Sequence, residues 1–428
     1  MKRYFRNMSF RSARRDVSLV VLAKSVSWLG DLVAEVALVL RLQSHGYGAS
    51  AVAALLIANA LPIVLLSGVV GRLVDRVDNQ RLLVLSSVSQ AAVCGVLAFT
   101  TTAPAVLCLV ALLGAGQAVN NSCWQALLAT VAEGDALTGA IGRAQAGQTM
   151  AAIVAPAISG VLVGQFGARV PLLVDAGAYA VVTGIALMIA TRRVVQAATP
   201  GTKPRGGLAI VRADGFLRSM FVMLAVFVLL GCMVNVVEVF LIRVTLHAST
   251  TWYGIAGAAF AIGMLIGALA AGRLRGTSTL TRGFVTACLV LSLGLVAVGV
   301  APSVGWVLPG IAVVGFMNGV LNVALGSLVM GRTAADERGR VGALLTGMAS
   351  GMQIIAFAAG GALASVLEPR TIFIASGALG VLVPLLLGPA LIRRATTPSA
   401  EVESAAEAEA VAGDTSASLA PVESSLPA

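Results

Sequence analysis

The sequence predicts an all-α membrane protein of twelve transmembrane helices in two parallel six-helix repeats. Three observations lead there. Of 428 residues, 58% are hydrophobic and only 11% charged, with a mean hydropathy of +0.94. A soluble domain carries about 25% charged residues, so a water-exposed globule of this composition would lack the charge to cover its surface. Apolar runs recur at lengths suited to the roughly 20 residues that a helix needs to cross a bilayer. The two halves of the chain also echo one another at a fixed offset. These figures exclude a cytosolic enzyme, a secreted disulfide scaffold and a disordered protein.

Taken in order, the elements begin with a basic tail, 1–16, holding six Lys and Arg. No short apolar segment with a cleavage site follows it, so it is expected to stay as a cytoplasmic tail. Six runs bounded by charge, Gly or Pro then place spans at 17–40, 50–71, 82–101, 105–130, 141–164 and 170–191, a first bundle over 17–191. The stretch 192–216 carries Pro200, Pro204, Gly206 and Gly207 and reads as the loop between bundles. The second bundle, 217–394, has spans at 217–240, 252–272, 283–301, 305–330, 341–365 and 371–392. The runs are too long for barrel strands and lack period-2 alternation. Residues 395–428 hold six acids and no Lys or Arg, the composition of a disordered cytoplasmic tail.

An even number of spans puts both termini on one side, and the positive-inside rule selects the cytoplasm. In that orientation the inner loops and tails hold 24 of the 29 Lys and Arg. The outer side holds Arg41, Arg169, Arg243 and Arg370, and Lys24 falls inside the first span. The net charge of +10 is then explained by anionic lipid and not by nucleic acid. Cys94, Cys108, Cys123, Cys232 and Cys288 all sit in apolar runs without metal spacing and read as small buried hydrophobes. His45 and His247 fall in outer loops, so no metal site is expected.

The repeat has an offset of 201 residues. Gly71-Arg72-Leu73 answers Gly272-Arg273-Leu274, and Arg169 answers Arg370. Gln117 and Asn121 answer Asn318 and Asn322, and Arg192-Arg193 answers Arg393-Arg394. At offset 202, Arg41 and His45 answer Arg243 and His247. Two parallel halves with a midplane site between them are a transporter plan.

Specific motifs point the same way. The loop Gly71-Arg-Leu-Val-Asp75-Arg76-Val-Asp78-Asn-Gln80-Arg81 resembles the signature loop of the major facilitator superfamily, G-x-x-x-[DE]-[RK]-x-G-x-[RK]-[RK]. It departs at Asp78, where Gly is usual, and at Gln80, where a cation is usual. The fifth span carries Gly142, Ala151, Ala155-Pro156 and Ser159-Gly160, similar to the antiporter motif G-x8-G-x3-G-P-x-x-G with Ala in place of two glycines. Trp28-Leu29-Gly30-Asp31 and Arg338-Gly-Arg-Val-Gly342 resemble the macrolide-efflux and siderophore-exporter branch of the drug/proton antiporters. The resemblance covers about 15–394. The Arg that such antiporters often carry in the fourth span is missing from 105–130, so its part in proton coupling must be supplied differently or be weaker.

Four acids lie inside spans: Asp31, Glu35, Asp175 and Glu238. Ionisable groups are costly in a membrane and usually face a cavity or a partner. Asp31 and Glu35 are four apart and share a helix face, which suits a proton site or the attraction of a cation. The resemblance makes spans one and seven line the cavity and span six peripheral, so Glu238 joins the first pair and Asp175 reads as structural. Lys24, seven residues from Asp31, either snorkels to the interface or takes part in coupling. Gln117, Asn121 and Trp124 stripe the fourth span, and Asn318 and Asn322 the tenth. They are candidates for substrate contact or for helix–helix hydrogen bonds. Gln148 and Gln353 are further candidates. By resemblance, Gly71, Asp75, Arg76 and Arg81 form a conformational gate, with Asp75 near the N-terminus of the eleventh span, where a helix dipole favours an anion. Gly142, Ala155, Pro156 and Gly160 would pack the fifth span closely.

The expected activity is proton-coupled export of a small amphiphilic molecule, in the manner of a multidrug antiporter, by rocking of the two halves. The acidic first span favours neutral or cationic cargo. Export of a siderophore or other metabolite and movement of a lipid are the rivals, with a non-transporting scaffold further off. Only two His are present, which argues against a membrane enzyme, and no P-loop appears to support ATP drive. The expected setting is the cytoplasmic membrane, with lipids, protons and cargo as partners, no cofactor beyond the proton gradient, and a monomer as the working unit.

Overall fold

The structure, a computed structural model, describes residues 2–131, 135–188, 207–333 and 337–395; within these, the side chains of 2–14, 16, 75–76, 125, 128–131 and 135–138 are not described. It contains α1 (Lys2–Ser44), α2 (Ala49–Arg76), α3 (Asn79–Phe99), α4 (Ala103–Val131), α5 (Asp135–Phe166), α6 (Arg169–Met188) and a short α7 (Gly207–Ala213). After these come α8 (Gly215–Phe240), α9 (Thr250–Ala271), α10 (Thr277–Val300), α11 (Val304–Arg332), α12 (Arg338–Leu363) and α13 (Pro369–Ala395). Twelve of these helices are long and apolar enough to cross a membrane, and the described residues contain no strand. Leucines that would be core in a soluble protein face outward, with Leu386 75% and Leu85 70% exposed, as a lipid-facing surface requires.

Three boundaries differ from the sequence reading. The first helix starts at Lys2, because no Gly or Pro between 2 and 16 stops it. Part of the inter-bundle stretch is helical: α7 occupies Gly207–Ala213, and Asp214 caps α8 by accepting from the Phe216 and Leu217 amides at 2.7 and 3.3 Å. The seventh span runs on past Phe240 through a π-helical turn, Leu241–Thr245. The remainder of the expected loop, 192–206, and the acidic tail from 396 lie outside the described residues.

The repeat is visible in the helix ends. Ser44 and Thr245 close the first span of each half, Ala49 and Thr250 open the second, and Ala103 and Val304 open the fourth, all at offset 201. The turn after the first span needs a left-handed residue in both halves: Gly46 (φ 80°) and, at the same offset, His247 (φ 51°). Glycine adopts this freely and histidine uncommonly.

Within the first half, α1 packs on α5 and α6, α2 on α4, and α3 on α4 and α6; within the second, α8 packs on α12, α9 on α11, and α10 on α13. The halves meet where α5 lies on α9 and α2 on α12. Those seams sit at one end only. A methyl built on Gly160 of α5 would stand 2.7 Å from the Thr250 carbonyl, and one on Gly257 of α9 2.8 Å from the Pro156 ring. On the other seam, a methyl on Gly361 would stand 2.6 Å from Ala53 Cβ. Arg243 also donates to Gln43 across the halves at 3.2 Å. At the opposite end, which carries the basic loops, Gly139 and Gly142 of α5 and Gly342, Gly347 and Gly351 of α12 meet nothing within 4 Å. Among the described residues, the close glycine approaches between the halves therefore lie at the end away from the basic loops, and none is found at the basic end, so the bundle is closed at the former and parted at the latter.

The two departures in the signature loop have structural reasons. Asp78 caps α3 by accepting from the Gln80 amide at 2.9 Å, and Gln80 Nε2 donates to the Ala186 carbonyl of α6 at 2.9 Å. The loop is thus fastened to its own half. Arg81 is exposed. The side chains of Asp75 and Arg76, expected to form the gate, lie outside the described residues.

Candidate functional site

Among the described residues, two larger cavities open among the helices, one mainly in each half. The first, about 220 Å³, is walled by α1, α2, α4 and α6, with Gln353 and Phe357 of α12 closing it from the other half. Asp31, Glu35, Gln117, Asn121, Trp124 and Gln353 all line it, so six residues singled out in the sequence converge. They do so because α1 and α4 present their polar stripes to one another while their apolar faces turn to neighbouring helices or lipid.

Asp31 is held from behind. Tyr179 Oη of α6 donates to its Oδ1 at 2.6 Å. Gln90 Nε2 of α3 donates to Tyr179 at 2.8 Å and, more weakly, to the Leu113 carbonyl at 3.4 Å. Asn120 Nδ2 of α4 donates to Gln90 Oε1. The Gln117 side chain lines the same cavity beside Asp31. Three helices therefore back one carboxylate of a fourth, a chain of bonds that stiffens the wall of the cavity.

Asp175 corrects the sequence reading of the sixth span. It is 1% exposed, one turn from Tyr179 on the inward face of α6. Cys94 Sγ donates to its Oδ2 at 3.1 Å, which also makes Cys94 a hydrogen-bond donor and not simply a small hydrophobe. A void of about 30 Å³ touches Asp31, Glu35 and Asp175 together, large enough for water. Asp175 thus belongs to the Asp31 cluster, and α6 is not peripheral here.

Several buried polar atoms on this wall have no hydrogen-bond partner: Asn59 Oδ1, Asn120 Oδ1 and Trp124 Nε1. A buried polar group left unpaired costs about 1–3 kcal/mol, and such atoms in a cavity mark where water or a ligand is met.

The second cavity, about 320 Å³, is walled by α8, α9, α10, α11 and α13. Glu238, Asn318 and Asn322 line it as the sequence suggested. Its remaining wall is mainly apolar, including Leu224, Phe227, Leu291, Leu295 and Phe373. Asn322 Nδ2 donates to Asn318 Oδ1 at 2.8 Å and to its carbonyl at 2.9 Å, so that amide is satisfied within its own helix.

Other predicted residues take different places. Gln148 is half-buried on α5 and lines neither cavity. Gly142 is exposed with nothing within 4 Å, and Gly71 likewise meets nothing, so neither packs in this conformation, because both lie at the parted end. Ala155 is fully buried, and Pro156 and Gly160 press on Gly254 and Gly257 of α9. The sequence reading missed Trp28, Asn59, Asn120 and Tyr179 on the first cavity and Gln90 behind it. The amides carried a signal, being polar side chains inside apolar runs. Tyr179 carried one only through its spacing of four from Asp175.

This assembly of carboxylates, amides and unpaired donors in a cavity sealed at one end can hold a proton, a polar cargo group, or each in turn. A family model described as the Major Facilitator Superfamily matches residues 20–244 and 233–423. A comparison with curated protein sequences gives no match. Among solved structures, the chain is similar to a bacterial homolog of the human lysosomal transporter Spinster in an inward-facing, unoccupied conformation, with a TM-score of 0.71, 12% identity, and 91% of this chain and 99% of that chain covered. It is also similar to the nucleoside transporter NupG, with a TM-score of 0.66, 14% identity, and 88% and 99% covered. A third is a POT family transporter in complex with a thioalcohol-conjugated peptide, with a TM-score of 0.69, 11% identity, and 90% and 97% covered. These three share the fold and are described as transporters of different kinds. The chain belongs to the major facilitator superfamily and is a multi-pass membrane transporter of that type.

Proposed function

We propose that the chain is a secondary active exporter that exchanges protons for a small amphiphilic molecule by alternating access. The observation that carries this reading is the pair Asp31 and Glu35 on the wall of a cavity that is sealed at one end. With the basic loops in the cytoplasm, the parted end faces inward and the closed seams face outward. A carboxylate that binds a cargo group cannot keep its proton, so cargo loading from the cytoplasm releases the proton there. Rocking then opens the other side, cargo leaves, and a proton from outside takes its place. The return step carries a neutral carboxyl group, which avoids burying a bare charge. Proton entry thereby drives cargo exit, and no ATP is used.

Proteoliposomes test this directly. A proton gradient directed along the exchange is expected to speed extrusion of loaded cargo, and an uncoupler is expected to abolish that gain. Extrusion that ignores the uncoupler would sink the coupling. The mainly apolar wall of the second cavity favours a lipid as the second reading of cargo; gradient-independent lipid movement by the purified protein would select it.

A further inference from the structure

Lys24, a cation inside the first membrane span, lines the first cavity together with Asp31 and Glu35. It is not exposed at the surface, and none of the ion pairs among the described residues involves it. Its neighbours along the cavity can be placed by register. The helices α1 and α4 are antiparallel, and Gln117 and Asp31 line the same two cavities. Counting seven residues back from Asp31 on α1 and seven forward from Gln117 on α4 brings Lys24 level with Trp124, about 10 Å toward the basic end. Trp124 is 2% exposed, lines the same cavity, and its Nε1 donor has no partner. One end of the cavity therefore carries an ammonium, with the partnerless indole N–H of Trp124 buried in the wall beside it. The other offers two carboxylates.

We infer that this cavity is built for a zwitterion, with its anionic group at Lys24 and Trp124 and its ammonium group at Asp31 and Glu35. A simple cation would leave the indole donor unmet and bring a second positive charge near Lys24. A simple anion would meet Lys24 but leave the carboxylates without a counter-charge. Only a ligand with both signs, spaced about 10 Å apart along the helix axis, satisfies both ends in a low dielectric, where an unpaired charge is costly. This narrows the neutral or cationic cargo suggested by the acids alone. The matched positions of the second half, Ala225 for Lys24 and Leu325 for Trp124, carry neither donor, so the zwitterion site is a property of the first half. The inference rests on the reading of this cavity as the cargo site.

The test uses the full chain in nanodiscs and follows quenching of tryptophan fluorescence, since Trp28 and Trp124 line the cavity. The probes are 8-aminooctanoate, whose extended chain suits the spacing, its methyl ester (cation only) and its N-acetyl derivative (anion only). The zwitterion is expected to bind at least about tenfold tighter than either derivative. Lys24→Met should erase its advantage over the methyl ester, and Lys24→Arg should keep it. The inference is overturned if the methyl ester binds as tightly as the zwitterion, if none of the three binds, or if the preference survives Lys24→Met. Should Lys24→Met fail to fold, the ranking of the three probes on the unaltered protein decides alone. A zwitterion that binds with the expected preference but neither competes with exported cargo nor is itself moved would leave the inference standing and remove the cargo reading.

Discussion

The two halves share a backbone and differ in what they hold. At the repeat offset, Asp31 becomes Cys232, Gln90 becomes Leu291, Cys94 becomes Leu295, Asp175 becomes Ser376 and Tyr179 becomes Gly380. Every member of the network behind Asp31 is thus lost or reduced in the second half. The consequences are physical. Leu291 and Leu295 form apolar wall where the first half has a hydrogen-bonded core, and the second cavity, about 320 Å³, is larger than the first, about 220 Å³. Only the amides on the fourth span of each half are kept, and there too the use differs. Gln117 lines the cavity beside Asp31, while Asn322 spends its donor on Asn318. A fold duplicated in sequence has divided its labour: two cavity-lining carboxylates and their hydrogen-bonded support in one half, a single carboxylate in a mainly apolar cavity in the other.

The sharpest way to break this comparison is to substitute matched residues. Asp31→Asn is expected to lower gradient-driven transport in proteoliposomes by two orders of magnitude or more, and Cys232→Ser to change it by less than about twofold. Glu35→Gln should follow Asp31→Asn, and Asp175→Asn should fall between them and the wild type, being in the cluster but out of the larger cavity. Equal losses at Asp31 and Cys232 would end the division of labour.

The seams come next in size, because they are needed by both halves. Gly160→Leu cannot fit against the Thr250 carbonyl and Gly254, so the closed end should stay ajar. Transport is expected to drop about tenfold or more, and a cysteine placed at Ala53 in the neighbouring seam should label faster with a membrane-impermeant maleimide. Unchanged labelling would show that the two seams open independently.

Tyr179→Phe removes one charge-assisted hydrogen bond to Asp31 and the acceptor of Gln90. Such a bond is worth about 1.5–3 kcal/mol, so transport should fall roughly tenfold while cargo-independent folding, read by thermal melting, shifts by only a few degrees. The smallest effect belongs to the second half. Asn322→Ala should leave transport within about twofold, since its amide is satisfied inside α11 and exposed hydrogen bonds contribute little. A large loss there would move polar recognition into the second half and reverse the contrast.

Much of this was legible from the chain. The acids, the α4 and α11 amides and Gln353 stand out because a polar side chain within an apolar run is expensive and so rarely idle. What escaped was the company they keep. Gln90 and Tyr179 reach Asp31 from spans that are far away in sequence, and the sequence places no helix against another beyond its neighbours. The family resemblance makes the span of Asp175 peripheral; only the packing of α6 on α1 and α3 brings it to Cys94 and Gly30. Gly142 and Gly71 belong to motifs that describe a whole transport cycle, and a single conformation uses only part of them.

The sequence by itself determined the spans, their count, the repeat and the asymmetry of charge, because the cost of exposing polar groups to hydrocarbon acts on each segment separately. It also determined which side chains are too costly to be there without a use. The tertiary structure alone decided which of these share a cavity, which end of the bundle is sealed, and that Lys24 faces inward toward the acids. Those outcomes depend on helix rotation and register, which are set by glycine-sized approaches between helices distant in the chain and leave no periodic mark in the sequence of either one.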